Sequence, residues 1–340
     1  MTLKNMQPPE SAPSPERLTQ FAFGFAPPLL LQTAVELQIF DLIDASPMSL
    51  AELSSRTGAS VRGLRALLNA LVGFEFLRKD DGGRYALTPE SEAFLVRNKP
   101  AFRGDFFTFV PGMIQHWLNL KEVVKSGKPV VTINSEQEGA DFFREFVKSL
   151  FNINFAPAMT LAAELKGKRE VSSILDLATG SGVWGIVLAE QFRRARVTAV
   201  DFPAVLEVTK ETAEKHGVAD RFRFVGGDLL AVDFGAQHDV AVLGHILHTE
   251  GQERSRQLLS KVFASLVAGG TIAIAEWLVN ETRTAPPHSL MFAVNMLLHS
   301  SDGDTFSFEE ISNWLSQAGF HTARQLDAPG VSPLILATKP

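Results

Sequence analysis

Residues 176–185, DLATGSGVWG, concentrate the residue types that could hold a nucleotide-like ligand. Gly180, Gly182 and Gly185 give the spacing G-x-G-x-x-G, which turns a strand into a helix and lets backbone approach a ligand closely. That spacing admits two cofactors, a dinucleotide or S-adenosyl-L-methionine (SAM). Charge at the loop separates them. A dinucleotide lays an anionic pyrophosphate on the helix N-terminus, and Asp176 beside the loop opposes it. SAM carries an ammonium and a sulfonium, and the same carboxylate attracts both. Asp201, followed by Phe202, ends the next apolar stretch, where a ribose hydroxyl needs an acceptor. Asp228, followed by Leu229, ends a third, where an adenine amino group could donate.

A second set of residues suits proton transfer. His248 follows the fourth apolar stretch and Glu276 ends the fifth. An imidazole titrates near neutrality and serves as a general base. A carboxylate on its other nitrogen fixes the tautomer and stabilises the imidazolium. If the two stretches are neighbouring strands they lie about 4.8 Å apart, which brings Glu276 to His248.

Those residues need a scaffold that delivers them to one edge. From residue 170 onward strands alternate with helices: SSILDLA, RVTAVDF, FRFVGGD, HDVAVLGHIL and TIAIAEWLV are strands, with helical sequence between most of them. This alternation predicts an α/β fold with a doubly wound, mostly parallel sheet. The last two strands, HTARQLDA and SPLILATKP, are joined by a short turn and must pair antiparallel. The sheet therefore has seven strands and is Rossmann-like, with the acidic residues at the carboxyl ends of its strands, where such sheets bind ligands.

Residues 17–100 read differently. A helix at LLLQTAVELQIFDLID, a Ser49–Glu52 capping box opening the next, a third helix and a DDGG hairpin make a winged-helix pattern. DNA binding would require a basic third helix. That helix offers only Arg62 and Arg65, and residues 17–95 hold seven Lys/Arg against nine Asp/Glu, so an interaction module is the better reading. Residues 101–168 are helical and dense in Phe, including Phe155; most should be core, and some could wall a pocket. Residues 1–16, with four prolines and polar sequence, read as a disordered leader and not a secretory signal.

Whole-chain properties narrow the classes further. Net charge is −6, which gives nucleic acid no bulk attraction. No apolar run approaches the roughly 20 residues of a membrane helix. The chain has no cysteine, which excludes disulfides, thiolate metal sites and a cysteine nucleophile, and accords with a cytoplasmic location. No cluster of Asp and Asn suited to a hard cation is visible, so no metal is expected.

The pieces LDLATGSG, VDFP, GDLL, LGHILHTEGQERS, GGTIAIAE and NMLLHSSDGDTFSFEEISNWLSQAGF occur in the order found in class I SAM-dependent methyltransferases. From about residue 17 the chain resembles the homodimeric, metal-independent small-molecule O-methyltransferases with an N-terminal winged-helix dimerisation domain. The resemblance implies SAM as cofactor, His248 as base, Glu276 as its partner, and a substrate-lining helix carrying Met291, Phe292, Asn295, Met296 and His299; His116 and Trp117 are further lining candidates. Three departures stand out. Ala178 replaces the first loop glycine, and its small side chain is expected to spare cofactor binding. Thr249-Glu250 replaces the Asp-Trp that follows the base. Thr305 stands where many relatives have a second glutamate beside the base, leaving Asp302 or Asp304 as substitutes.

The expected function is methyl transfer from SAM to a hydroxyl of a small, aromatic metabolite. The transfer is an in-line displacement, with the nucleophile about 3 Å from the methyl carbon. Carbon or nitrogen methylation, and a SAM-binding homologue that does not methylate, remain open within the same fold. An NAD(P)-dependent oxidoreductase and a winged-helix regulator remain open outside it.

Overall fold

The computed structural model describes residues 15–131, 140–168, 170–330 and 332–340. Residues 1–14, most of the expected leader, and the side chains of Phe142 and Phe143 lie outside the described residues. The chain divides into two compact units, residues 1–114 and 115–340.

The first unit holds helices α1 (Glu16–Ala22), α2 (Ala26–Glu36), α3 (Ile39–Asp44), α4 (Leu50–Thr57) and α5 (Val61–Gly73), the hairpin β1 (Leu77–Lys79) and β2 (Tyr85–Leu87), and α6 (Pro89–Phe94). Ser49 and Glu52 cap α4 reciprocally, satisfying two of the amides that a helix start leaves unpaired. Ser60 caps α5 through the Gly63 amide. The inward faces of α2, α3 and α5 supply Ala34, Ile39, Phe40, Leu64, Leu68 and Leu71, and the hairpin adds Leu77 and Tyr85. The Tyr85 hydroxyl is not stranded in that core; it donates to Asn69 Oδ1 at 2.9 Å. By contrast α1 buries nothing, and Leu18, Phe21, Phe23 and Phe25 are more than half exposed.

Helix α7 (Val110–Trp117) leads into α8 (Leu120–Ser126) and the long α9 (Ala140–Leu165). The second unit is built on seven strands: β3 (Ser173–Leu177), β4 (Arg196–Asp201), β5 (Phe222–Gly226), β6 (His238–Gly244), β7 (Leu266–Ala275), then, after the short strands β8 (Leu278–Val279) and β9 (Phe306–Ser307), β10 (His321–Leu326) and β11 (Leu334–Thr338). Their order in the sheet is β10-β11-β7-β6-β3-β4-β5. Only β11 runs against its neighbours, pairing antiparallel with β10 and with β7. The strands of the sheet's centre are buried on both faces, which is why β3, β6 and β7 read as nearly unbroken Val, Ile, Leu and Ala. Helices α10 (Val183–Gln191) and α9 pack on one face with Leu161, Trp184 and Val187. Helices α12 (Leu247–Ser265) and α14 (Phe308–Ala318) pack on the other with Leu258, Val262 and Leu315. Two more helices, α11 (Pro203–Lys215) and α13 (Pro287–His299), complete the unit.

The topology decides where a ligand goes. From β3 the chain builds outward through β4 and β5, then returns to β6 on the other side of β3. The crevice at that switch, above the carboxyl ends of β3 and β6, is the one such sheets use. Asp176 lies near the end of β3 and Asp201 ends β4, while His248 and Glu276 follow the ends of β6 and β7, all on the carboxyl edge of neighbouring strands.

Several sequence boundaries shift. The strand expected to run to Leu247 stops at Gly244, because His245 takes a left-handed φ of 62°. Helix α12 ends at Ser265, and Leu266 already starts β7. His238 opens β6 as a buried residue, held by Ser173 Oγ at 2.9 Å and the Phe234 carbonyl at 3.1 Å.

Candidate active site

The loop after β3 is shaped by left-handed backbone. Ala178, Gly180 and Gly182 have φ of 51°, 55° and 80°. Glycine adopts that region freely, whereas alanine is strained there. The departure at Ala178 therefore costs conformation, which a judgement by side-chain size misses. Gly185 serves packing: a Cβ there would sit 2.8 Å from Asp176 Oδ2 and 2.9 Å from Val197 Cγ1. Thr209 Oγ1 donates to the Gly180 carbonyl at 2.7 Å and pins the loop to α11.

Asp176 is fully buried. Its Oδ2 accepts from Thr179 Oγ1 and from the Gly185 amide, each at 2.8 Å, while Oδ1 has no hydrogen-bond partner among the described residues. Burial pushes its carboxyl up to about 7, against the pull of Thr179 and Gly185 and with the added charge of Asp201. A buried carboxylate oxygen without a partner is costly. An ammonium group against Oδ1 would relieve that cost and hold the carboxylate ionised. The chemistry of this donor set therefore fits the amino-acid end of SAM and not a pyrophosphate.

Asp201 accepts from the Gly180 amide at 2.9 Å through Oδ2 and from the Phe202 amide at 2.8 Å through Oδ1. Burial pushes it up to about 6 despite those two donors. Each oxygen keeps a lone pair, which suits the hydroxyls of a ribose. Phe202 packs on Val147, Val205 and Val208. Leu229 is buried in the core under α12.

Asp228 is more committed than its sequence position suggests. Its Oδ1 accepts from the turn amides of Leu230 and Ala231, and Arg254 Nη2 lies 2.5 Å from Oδ2. Burial raises its pKa, but the Leu230 amide, the Arg254 guanidinium and the Ala231 amide together hold it below the usual carboxylate range. The same guanidinium donates from Nε to Glu250 Oε2 at 2.6 Å. Arg254 was not among the sequence candidates; the spacing of Glu250 and Arg254, one turn apart on a helix, was the available signal.

His248 and Glu276 come together. Nδ1 of His248 lies 2.6 Å from Glu276 Oε1, and the His248 amide donates to Oε2 at 3.2 Å. The Trp277 amide adds a donor to Oε1 at 2.9 Å. Burial pushes the Glu276 carboxyl up, but the His248 ring, the charge of His245 and the Trp277 amide outweigh it and hold its pKa below the usual range. An ionised Glu276 only accepts, so in the neutral imidazole Nδ1 carries the proton and Nε2 has the lone pair. The Phe292 ring meets the imidazole edge-on at 4.8 Å and stacks on Trp277 at 4.7 Å. Trp277 was missed from sequence, although its place next to Glu276 put it at the same strand end.

The loop 300–305 grips this base from behind. The Asp304 amide donates to the His248 carbonyl at 2.9 Å, and Ser300 Oγ donates to the Thr249 carbonyl at 3.0 Å. Asp304 spends its carboxylate on Arg283 and on the Thr305 amide. Thr305 is fully buried, and its hydroxyl has no hydrogen-bond partner among the described residues. The carboxylate that pairs with His248 is that of Glu276.

The remaining candidates separate. His116 and Trp117 join α13: His116 Nδ1 lies 2.7 Å from His299 Nε2, and Trp117 Nε1 donates to Asn295 Oδ1 at 3.3 Å. Met296 is buried and Met291 is 60% exposed, so methionines five residues apart, on different faces of α13, differ sharply in environment. Phe155 packs against Phe151, which lies over His216 near the end of α11.

With this geometry in view, the likeness to known proteins is specific. Residues 19–97 match the O-methyltransferase dimerisation domain and residues 117–321 the O-methyltransferase domain. The 8-O-methyl transferase of tetracenomycin polyketide synthesis from Streptomyces glaucescens is 28% identical, covering 98% of this chain and 100% of its own. The 3-hydroxy-5-methyl-1-naphthoate 3-O-methyltransferase of Streptomyces sahachiroi is also 28% identical, covering 96% of this chain and 95% of its own. A crystal structure from Nostoc punctiforme superposes with a TM-score of 0.88 at 28% identity, covering 97% of this chain and 100% of that one. The fold and site define a nucleotide-type α/β enzyme with an N-terminal helical domain. The chain belongs to the O-methyltransferase family.

Proposed function

We propose that the enzyme methylates a phenolic hydroxyl of a small aromatic metabolite, with His248 as general base and Glu276 as its positioning partner. The observation that carries this reading is the 2.6 Å contact of His248 Nδ1 with a buried, ionised Glu276. When bound, SAM supplies an electrophilic methyl group on a sulfonium centre. Asp176, with its unpaired Oδ1, would hold the ammonium, Asp201 the ribose hydroxyls, and Asp228, held by Arg254, the adenine amino group. The lone pair on His248 Nε2 takes the phenolic proton, and Glu276 stabilises the imidazolium that results. Phe292 and Trp277 keep the base edge dry, where neutralisation of cation by phenolate is favoured. Among the described residues no group of three or more His, Cys, Asp or Glu is placed to hold a metal.

The two Streptomyces relatives are named for methylating polyketide and naphthoate hydroxyls, which supports a fused aromatic acceptor here. The dimerisation-domain match and the exposed Leu18, Phe21, Phe23 and Phe25 support a homodimer formed through the N-terminal unit. The acidic balance of that unit argues against nucleic acid as a partner. No helix among the described residues is long and apolar enough to cross a membrane. With a cysteine-free chain, this supports a cytoplasmic enzyme. The test is incubation with SAM and a panel of phenols and naphthols. A product heavier by one methylene, formed with equimolar S-adenosylhomocysteine, is expected; absence of transfer to every member by enzyme that binds S-adenosylhomocysteine would overturn the reading.

A further inference from the structure

A second pair of histidines meets away from the base, where the end of α7 touches the end of α13. His116 Nδ1 and His299 Nε2 are 2.7 Å apart across 183 positions of sequence. The protons of this pair follow from its neighbours. His299 Nδ1 lies 2.8 Å from the Asn295 carbonyl oxygen. A carbonyl only accepts, so that nitrogen carries hydrogen. Burial drives the His299 pKa down, which keeps the ring neutral and leaves Nε2 a lone pair. His116 Nδ1 must therefore donate. In the neutral ring this leaves His116 Nε2 as an acceptor without a donor among the described residues. His299 is buried, whereas His116 is only half-buried, so the open nitrogen belongs to the more accessible ring.

The dyad is aligned with the base. Phe292, Asn295, Met296 and His299 recur at i, i+3, i+4 and i+7 on α13 and share one face. Phe292 touches the His248 ring at one end of that stripe, and His299 holds His116 at the other. Seven residues of helix span about 10 Å. The stripe is apolar beside the base and polar at its far end, where Trp117 Nε1 and Asn295 also meet. A single ring reaching from the base falls short of the dyad, whereas two or three fused rings span the interval.

We propose that the His116–His299 dyad is the distal hydrogen-bonding post of the acceptor site, taking a hydrogen bond from a hydroxyl at the end of a fused-ring aromatic opposite the hydroxyl that is methylated. This rests on the proposed function, since it needs the acceptor to lie between His248 and the dyad. Asn295 and the buried His299 fix the His116 tautomer, so the post discriminates donors from acceptors and rejects an apolar end.

The test compares 2,6-dihydroxynaphthalene with 2-naphthol, two acceptors that differ only in the distal hydroxyl. Dissociation constants are read by naphthol fluorescence on the dimeric enzyme loaded with S-adenosylhomocysteine, so the result does not depend on turnover. Wild type should prefer the diol by about tenfold, the worth of one well-placed hydrogen bond. His116→Phe should erase the preference. His116→Asn separates recognition from helix packing, because its amide can still donate to His299 but presents nothing at the position of Nε2; it should also erase the preference while 2-naphthol affinity stays within about twofold of wild type. Equal binding of both naphthols to wild type, or a preference that survives in both variants, would overturn the proposal. Methyl transfer to 2-naphthol tests the proposed function separately: a SAM-dependent product with no diol preference removes the dyad's role and leaves the activity standing.

Discussion

The imidazole of His248 and the carboxylate of Glu276 meet at 2.6 Å although 28 positions separate them. Two adjacent parallel strands make this possible. Gly244 at the end of β6 is in register with Ala275 at the end of β7, so the residues just beyond both ends emerge on the same edge. Glu276 is wholly enclosed and spends its acceptor capacity on the His248 ring, the His248 amide and the Trp277 amide. The carboxylate thus holds the base by its ring and by its backbone at once.

Glu276→Gln keeps the shape and removes the charge. The amide can present either an acceptor or a donor to Nδ1, so the tautomer is no longer enforced. Turnover should fall by roughly 10³-fold, with affinity for S-adenosylhomocysteine within about twofold of wild type. Steady-state kinetics and isothermal titration read the two quantities. A drop in cofactor affinity that matches the drop in turnover would assign Glu276 a different task.

The same carboxylate has a stability signature. Its folded pKa lies below the ordinary 4.5, so it contributes stability that is present above that pH and lost as pH falls through the folded value. Thermal melts of wild type minus Glu276→Gln should show a difference that is flat near neutrality and shrinks below pH 4.5. A difference that grows on acidification would reverse the sign and contradict an ionised Glu276.

Asp176 has the opposite sign. Its folded carboxyl is raised to about 7, so in the free enzyme its stability contribution is full below the unfolded value and is lost as pH rises through 7. A bound ammonium favours the ionised form. Affinity for S-adenosylhomocysteine should therefore rise between pH 5.5 and 7.5, and Asp176→Asn should weaken it by about tenfold at pH 7.5 and flatten the profile. Titration calorimetry at several pH values checks both; an unchanged pH profile in the variant would remove Asp176 from the cofactor site.

Much of this was legible in the residue pattern, for identifiable reasons. The helix cap at Ser49, the buried runs of β3, β6 and β7, and the acidic residues at strand ends are local signals, carried by spacing within a few residues. Backbone conformation was less visible. Nothing in the composition of the loop reveals that Ala178 sits at φ 51°, or that His245 leaves the strand at φ 62°. The His248–Glu276 partnership follows from neighbouring strand ends, whereas partnerships between distant helices and turns leave no such signal. The meeting of His116 with His299, and the capture of Asp228 by Arg254, depend on how distant helices come to rest.

Ala178 offers an inexpensive check on the loop. Ala178→Gly relieves a left-handed alanine and should stabilise the free enzyme by about 1 kcal/mol in urea unfolding. The added chain entropy of glycine in the unfolded state limits the gain. Destabilisation by a similar amount would show that the Ala178 methyl is worth more in packing than its conformation costs.

The most direct measurement is the pH dependence of methyl transfer by His248→Ala, using a phenol that the wild-type enzyme methylates. At pH 7 the variant should turn over at least about 100-fold more slowly, because no group takes the phenolic proton. Above the phenol's own pKa of about 10 the phenolate forms without help, and the deficit should shrink severalfold. Near-wild-type turnover of His248→Ala at pH 7 would contradict the central claim.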